Sequence, residues 1–213
     1  MSGTVITIAQ QKGGSGKTTL AVNLAVALVR AGHSVAVLDT DPQGSLGRWF
    51  MTRRELLGDA GMEFGTASAW GVAYECEKLS RDAEFVIVDT PPKADSDLRP
   101  ALRAADLVLV PVAASHVDLW ATEGVLDLAR REDTPAIVVL NRMRAKTRLG
   151  MDVTAAAHET GADVAGPVLA NRIAYAETLG QGLAVMEGPR NVAARAEIDA
   201  LLADLRARLP DTD

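Results

Sequence analysis

Short apolar runs alternate with longer helical patterns along most of this chain. Runs that are rich in β-branched residues and carry no charge are typical of strands buried on both faces, as in a parallel sheet. Five such runs are predicted to form strands: Thr4–Ala9, Ser34–Leu38, Phe85–Val88, Leu107–Val110 and Ile137–Leu140. A further strand is predicted at Val168–Leu169.

Helical patterns fill the intervals between these runs. They are predicted near Gly16–Ala31, Ala69–Ser80, Asp97–Ala104, Asp118–Arg131, Met151–Glu159, Ala174–Gly180 and Asn191–Leu209. The first is apolar almost all round, which predicts a buried helix. Because strands and helices alternate without a linker or a change of composition, we expect one α/β domain over residues 1–213. Its predicted fold is a doubly wound, mostly parallel sheet flanked by helices.

The composition excludes several classes of protein. Hydrophobic residues make up 48% and charged residues 23% of the 213 residues, which argues against a disordered chain. A net charge of −6 argues against a protein that coats nucleic acid by its bulk charge. The single cysteine, Cys76, excludes an internal disulfide framework and a four-cysteine metal site within one chain. Since no apolar run of about 18 residues is present, we expect a soluble, cytoplasmic protein without a membrane partner.

A glycine-rich segment follows the first predicted strand and opens the first helix. Glycines let successive backbone N–H groups turn toward an anion, and the helix N-terminus adds its positive end. Lys17 can reach the outer phosphates of a nucleotide, and Thr18 offers a hydroxyl to Mg²⁺. Gln11 stands where the common form of this motif has glycine. The segment nevertheless predicts a phosphate loop, with these candidate nucleotide-binding residues: Gly13, Gly14, Ser15, Gly16, Lys17, Thr18 and Thr19.

Acidic residues follow two more of the predicted strands. Asp39 and Asp41 belong to the segment Asp-Thr-Asp-Pro-Gln-Gly, and Asp89 ends the run Val-Ile-Val-Asp. Because ligands bind at the carboxyl ends of parallel strands, these side chains are expected near the phosphate loop. One apolar run that ends in Asp is common, but three such elements in this order are specific to a nucleotide site.

Together the three segments resemble the deviant phosphate loop and switch motifs of the ParA/MinD family, whose loop reads Lys-Gly-Gly, one residue, Gly-Lys-Thr. The resemblance covers almost the whole chain and is closest to the small ParA type. It implies a P-loop NTPase fold and slow hydrolysis of ATP with Mg²⁺. It also implies that Asp41 orients the attacking water, that Asp39 supports the Mg²⁺ shell or a dimer face, and that Asp89 holds Mg²⁺ through water. Lys12 is expected to reach the nucleotide of the partner subunit in an ATP-sandwiched homodimer.

A second group of candidate residues follows the fifth predicted strand. Asn141 stands where relatives contact the adenine, although an Asn at a strand end is as often a turn former. Four basic residues fall within seven positions without an acid: Arg142, Arg144, Lys146 and Arg148. They are either a solvated loop or a nonspecific, salt-sensitive DNA contact that two copies in a dimer strengthen. Arg172 resembles the DNA-contacting arginine of ParA proteins. Trp120 is equally consistent with a core position and with an interface position.

The resemblance implies an ATP-dependent dimer that binds DNA nonspecifically, associates with the nucleoid, and segregates or positions plasmid, chromosome or protein-cluster cargo. A ParB-like or other adaptor is expected to stimulate hydrolysis. Two alternatives remain at this point. A MinD-like positioning ATPase is expected to carry a basic amphipathic tail, whereas the last predicted helix is balanced in charge. An ATP-dependent biosynthetic ligase resembling dethiobiotin synthetase is expected to turn over ATP with a small acid or amine.

Overall fold

The computed structural model describes residues 2–92, 98–144, 147–159, 161–188 and 191–209. Seven strands in these residues form one sheet of order β3-β2-β4-β1-β5-β6-β7. Every neighbouring pair in that sheet is parallel, so the sheet is wholly rather than mostly parallel. The strands are β1 (Thr4–Ile8), β2 (Val35–Asp39), β3 (Glu63–Thr66), β4 (Phe85–Asp89), β5 (Leu107–Val112), β6 (Ala136–Leu140) and β7 (Asp163–Val164).

Helices cover both faces of the sheet, which confirms the doubly wound α/β fold. They are α1 (Lys17–Arg30), α2 (Ser45–Leu57), α3 (Val72–Leu79), α4 (Arg99–Arg103), α5 (His116–Arg131), α6 (Arg148–Glu159), α7 (Ile173–Gly180) and α8 (Val192–Arg206). One face packs against α1, α2, α7 and α8. The other packs against α3, α4, α5 and α6. The strands supply both cores because successive side chains point to opposite faces: Ile6 lies in the first core and Val5 on the second face.

Helix α1 is buried on nearly all sides, as its apolar sequence predicts. Residues from Leu20 to Leu28 are all buried, and the helix packs between the sheet and α8. It begins directly after the glycine-rich loop, so the packing of α1 fixes the position of that loop.

The structure adds two elements to the predicted set and moves a third. Strand β3 lies at the edge of the sheet and buries only Gly65, so it has no continuous apolar run. Helix α2 follows the acidic switch segment and buries only one side. The strand predicted at Val168–Leu169 is wrong in position: the last strand is β7, and Leu169 instead donates one hydrogen bond to the Leu140 carbonyl.

The described ranges contain no helix that is long and apolar enough to span a membrane.

Candidate nucleotide site

The glycine-rich loop connects β1 to α1 at the carboxyl edge of the sheet. Gly14 and Gly16 have φ angles of +78° and +92°, a left-handed conformation that favours glycine. Gly13 and Gly14 are exposed, whereas Ser15 is buried. Because Gly16 immediately precedes the first turn of α1, free backbone N–H groups of that helix end face the loop. This is the arrangement that an anion-binding loop requires.

Lys17 lies within this loop as a buried cation. Its Nζ donates a hydrogen bond to the Gln10 carbonyl at 3.1 Å. Burial lowers the pKa of the Lys17 ammonium, and the nearby carboxylates of Asp89 and Asp41 oppose that shift. The loop therefore holds a positive charge that is poorly hydrated and available to an anionic ligand.

Thr18 and Asp89 meet across the loop. The Thr18 hydroxyl donates to Oδ2 of Asp89 at 2.6 Å, while Oδ1 of Asp89 is buried without a hydrogen-bond partner in the described residues. Burial raises the pKa of Asp89 to about 7, and the Asp39 carboxylate, paired in register on β2, adds to the shift. A hydroxyl and an orphaned carboxylate oxygen are the hard donors that Mg²⁺ prefers, so these residues fit that ion.

Asp39 and Asp41 lie at the start of the segment that leads into α2. Asp39 accepts hydrogen bonds from the backbone N–H groups of Asp41 at 3.0 Å and Gly47 at 2.8 Å. Burial raises the pKa of Asp39. Asp41 is half-buried, and its Oδ1 accepts from the Gln43 N–H at 2.9 Å. Asp39 thus ties the segment to the first turn of α2, and Asp41 is the more accessible carboxylate.

Lys12 has a partner that sequence reasoning missed. Its Nζ donates to Oδ2 of Asp118 at 2.8 Å, and the Asp118 side chain is only 5% exposed. The only signal in the sequence is an acid in the first turn of the helix after β5. On the same turn, Val117 and Trp120 are exposed, so Trp120 is not a core residue. Lys12 is therefore paired with a carboxylate of α5, whereas the ammonium of Lys17 is hydrogen-bonded to the Gln10 carbonyl.

A cleft of about 320 Å³ opens beside the loop. Its lining includes Thr19 of α1, Asn141 and Arg142 after β6, and Arg172 and Tyr175 around the start of α7. The Asn141 amide donates to the Ser15 carbonyl, so this side chain already contacts the loop. The cleft has room for a ligand group next to the predicted phosphate site.

The predicted DNA-binding residues do not share one environment. Arg144 and Arg148 are exposed, and Arg148 begins α6 rather than lying in a loop. Lys146, between them, lies outside the described residues. The Arg142 guanidinium turns to the glycine-rich loop. Arg172 donates through Nε and Nη2 to Oε1 of Glu197 at 2.9 and 2.6 Å, a pairing with α8 that no local sequence pattern indicates.

Comparisons with known proteins identify the family of this chain. The CobQ/CobB/MinD/ParA nucleotide binding domain family matches residues 6–185. Maintenance of carboxysome distribution protein A of Halothiobacillus neapolitanus is 27% identical over 207 residues, which cover 94% of this chain and 95% of that protein.

Two solved structures have the same fold. A Cyanothece McdA variant in complex with ATP has a TM-score of 0.81 at 18% identity and covers 96% of this chain and 97% of that chain. The septum site-determining protein MinD of Pyrococcus horikoshii, complexed with Mg-ADP, has a TM-score of 0.80 at 19% identity and covers 95% of both chains. The resemblance inferred from the loop and switch motifs is confirmed by the family match.

Proposed function

Because the chain belongs to the CobQ/CobB/MinD/ParA nucleotide-binding family, we propose that it is an Mg²⁺-dependent ATPase that dimerises with ATP and positions a cargo on DNA. In this proposal residues 1–213 act as one domain, and an adaptor protein stimulates hydrolysis and release. The full-length similarity to a protein of carboxysome distribution supports a positioning role. The structural neighbours that hold ATP and Mg-ADP support the choice of ligand.

The observation that carries the proposal is the difference in surroundings between two lysines of the glycine-rich segment. Lys17 is buried near the carboxylates of Asp89 and Asp41, where the phosphates of a bound nucleotide are expected. Lys12 points instead to Asp118 at the start of α5, and its side chain is 37% exposed. A lysine that is accessible at the rim of the loop suits a contact with the nucleotide of a second subunit.

The chemistry follows from charge and positioning, which are the main requirements of phosphoryl transfer. The loop N–H groups from Gly13 to Thr19 and the Lys17 ammonium bind the phosphates. Thr18 and Asp89, with Asp39 behind them, are the residues that would hold Mg²⁺, which would neutralise further phosphate charge. Asp41 orients the attacking water. With no strong base among these groups, turnover is expected to be slow.

Dimerisation completes the site in this proposal. Lys12 leaves Asp118 and contacts the phosphates bound to the partner, where it stabilises negative charge as an arginine finger does. The exposed Val117 and Trp120 on the same helix turn support an interface at this edge, because large apolar side chains gain free energy when a partner covers them.

DNA binding is assigned to the exposed basic residues near the start of α6. Arg144 and Arg148 are accessible to phosphates, and we include Lys146 in this patch because it lies between them in the sequence. A few phosphate contacts give a weak, salt-dependent and nonspecific affinity. Two patches in one dimer raise that affinity through effective concentration, so ATP binding places the protein on the nucleoid. The cleft beside Thr19 and Asn141 is assigned to the base of ATP.

Substitution of each lysine separately tests this proposal. Lys17→Ala is expected to weaken binding of a fluorescent ATP analogue by about 100-fold, because a charged hydrogen-bond donor to the phosphates is lost. Lys12→Ala is expected to bind the analogue within about threefold of the wild-type chain, yet to remain monomeric with ATP in size-exclusion chromatography and to lose hydrolysis.

Lys78→Ala is the matched control, because Lys78 is an exposed lysine of α3 whose ion pair is with Glu75. Normal ATP binding by Lys17→Ala would show that the nucleotide site is wrongly placed. Normal ATP-dependent dimerisation by Lys12→Ala would contradict the role of this lysine across the interface.

A further inference from the structure

Two adjacent side chains after β6 donate hydrogen bonds to backbone carbonyls of the glycine-rich loop. The Asn141 amide donates through Nδ2 to the Ser15 carbonyl at 2.9 Å. The Arg142 guanidinium donates through Nη1 to the Gly14 carbonyl at 2.6 Å. Oδ1 of Asn141 in turn accepts the backbone N–H of Arg142 at 2.9 Å, so the two residues form one hydrogen-bonded unit.

The geometry of the peptide bond gives these contacts a consequence on the opposite side of the loop. In a planar trans peptide the carbonyl of one residue and the N–H of the next point in opposite directions. When Arg142 holds the Gly14 carbonyl, the N–H of Ser15 faces away from Arg142. When Asn141 holds the Ser15 carbonyl, the N–H of Gly16 likewise faces away from Asn141. Both N–H groups are thereby fixed without using either of them as a donor.

We propose that Arg142, together with Asn141, is a positioning residue that aims the loop N–H groups at the nucleotide phosphates. This inference rests on the proposed binding of ATP. It assigns Arg142 to the nucleotide site rather than to the DNA patch in which its charge alone places it. The pair orders a loop that would otherwise lose conformational entropy when the anion binds.

The backbone supports a specific role for this pair. Arg142 has a φ of +53°, a left-handed conformation that costs free energy in a residue other than glycine and that surrounding contacts must stabilise. The approach to the loop is close: a Cβ on Gly16 would lie 2.5 Å from Nδ2 of Asn141 and 3.3 Å from Nε of Arg142. Glycine at position 16 therefore serves both the turn and the seating of the two side chains.

Arg142→Ala and Arg142→Gly test the inference. Melting without nucleotide reports on folding, and the affinity for the ATP analogue reports on the loop. The glycine variant relieves the left-handed backbone, so without nucleotide it is expected to melt at or above the wild-type temperature. Both variants are expected to bind the fluorescent ATP analogue with Mg²⁺ about tenfold more weakly, a loss typical of a charged hydrogen bond. Arg131→Ala, which removes an exposed arginine in the last turn of α5, is the matched control.

Retention on nonspecific duplex DNA separates this role from a direct DNA contact. When ATP is raised above the weakened dissociation constant, both Arg142 variants are expected to recover wild-type DNA retention. ATP binding within twofold of the wild type in either variant would overturn the inference, and so would a loss of DNA retention that saturating ATP does not restore. If the wild-type chain itself fails to bind the ATP analogue, it is the proposed function that is wrong.

Discussion

The phosphate loop with its carboxylates and the basic residues around α6 and α7 differ in what their side chains contact. In the first group, motif residues meet one another: Thr18 contacts Asp89, and Asp39 lies opposite Asp89 in the sheet. In the second group, Arg142 and Arg172 turn to separate protein partners. Residues at the ends of adjacent strands have little freedom, whereas long basic side chains on loops take whichever acceptor the fold brings near.

In the first group, the largest effect is expected from removal of its most accessible carboxylate, that of Asp41. Asp41→Ala is expected to lower ATP hydrolysis by about 100-fold or more, because an attacking water that is no longer oriented loses the benefit of positioning. The ATP-bound dimer should then accumulate, since it forms normally but is not consumed. Phosphate release and size-exclusion chromatography with ATP measure the two effects.

Asp199→Ala, at an exposed acid of α8, is the control for this change. Hydrolysis at the wild-type rate in Asp41→Ala would remove Asp41 from the reaction. A variant that stays monomeric with ATP would contradict the order in which dimerisation precedes hydrolysis.

Asp89 also belongs to the first group, and its effect on stability should depend on pH, because it is a buried acid with one oxygen that has no hydrogen-bond partner in the described residues. Burial raises its pKa from 3.8 to about 7. The folded, nucleotide-free chain therefore binds more protons than the unfolded chain between these values, and this contribution to stability is lost as the pH rises through 7. Asp89→Asn should remove that loss and be more stable than the wild type at pH 8 by about 1–4 kcal/mol.

Urea unfolding in EDTA at pH 8 and at pH 5 measures this difference. The advantage of the asparagine variant should shrink at pH 5, where the wild-type carboxyl is largely protonated. An advantage of equal size at both pH values would show that the ionisation of Asp89 is not its cause. Lys17, Asp39 and Asp41 also act on the pKa of Asp89, so part of the measured difference comes from their interactions with its charge.

The contrast between the two groups also explains how far the sequence could be interpreted. The central strands and α1 could be predicted because each carries a continuous apolar run. The loop could be predicted because its spacing of glycines and lysine is typical of phosphate binding. Strand β3 could not, since an exposed edge strand has no such run. Asp118 and Glu197 were missed for another reason: their partners lie 106 and 25 residues away, and no local pattern encodes those contacts.

The smallest effects are expected at Arg148 in the second group, because this side chain is exposed. Arg148→Glu should weaken retention on nonspecific duplex DNA about three- to tenfold and lower its salt dependence by about one phosphate contact. The loss is small because the Arg148 side chain is exposed and lies 3.9 Å from Asp152, whose carboxylate competes with DNA phosphates for the guanidinium. ATP binding should not change. Arg206→Glu, at an exposed arginine of α8, controls for the change in net charge.

An equal loss in both charge reversals would mean that overall charge, not a patch at α6, governs retention on DNA.

The chain carries a net charge of −6, so bulk attraction to DNA is absent and a local patch must supply the affinity. For the same reason the wild-type monomer should bind DNA far more weakly than the ATP dimer. If the monomeric Lys12→Ala variant were retained on DNA as well as the wild type, the dependence on two copies would be wrong, although Arg148 could still be the contact.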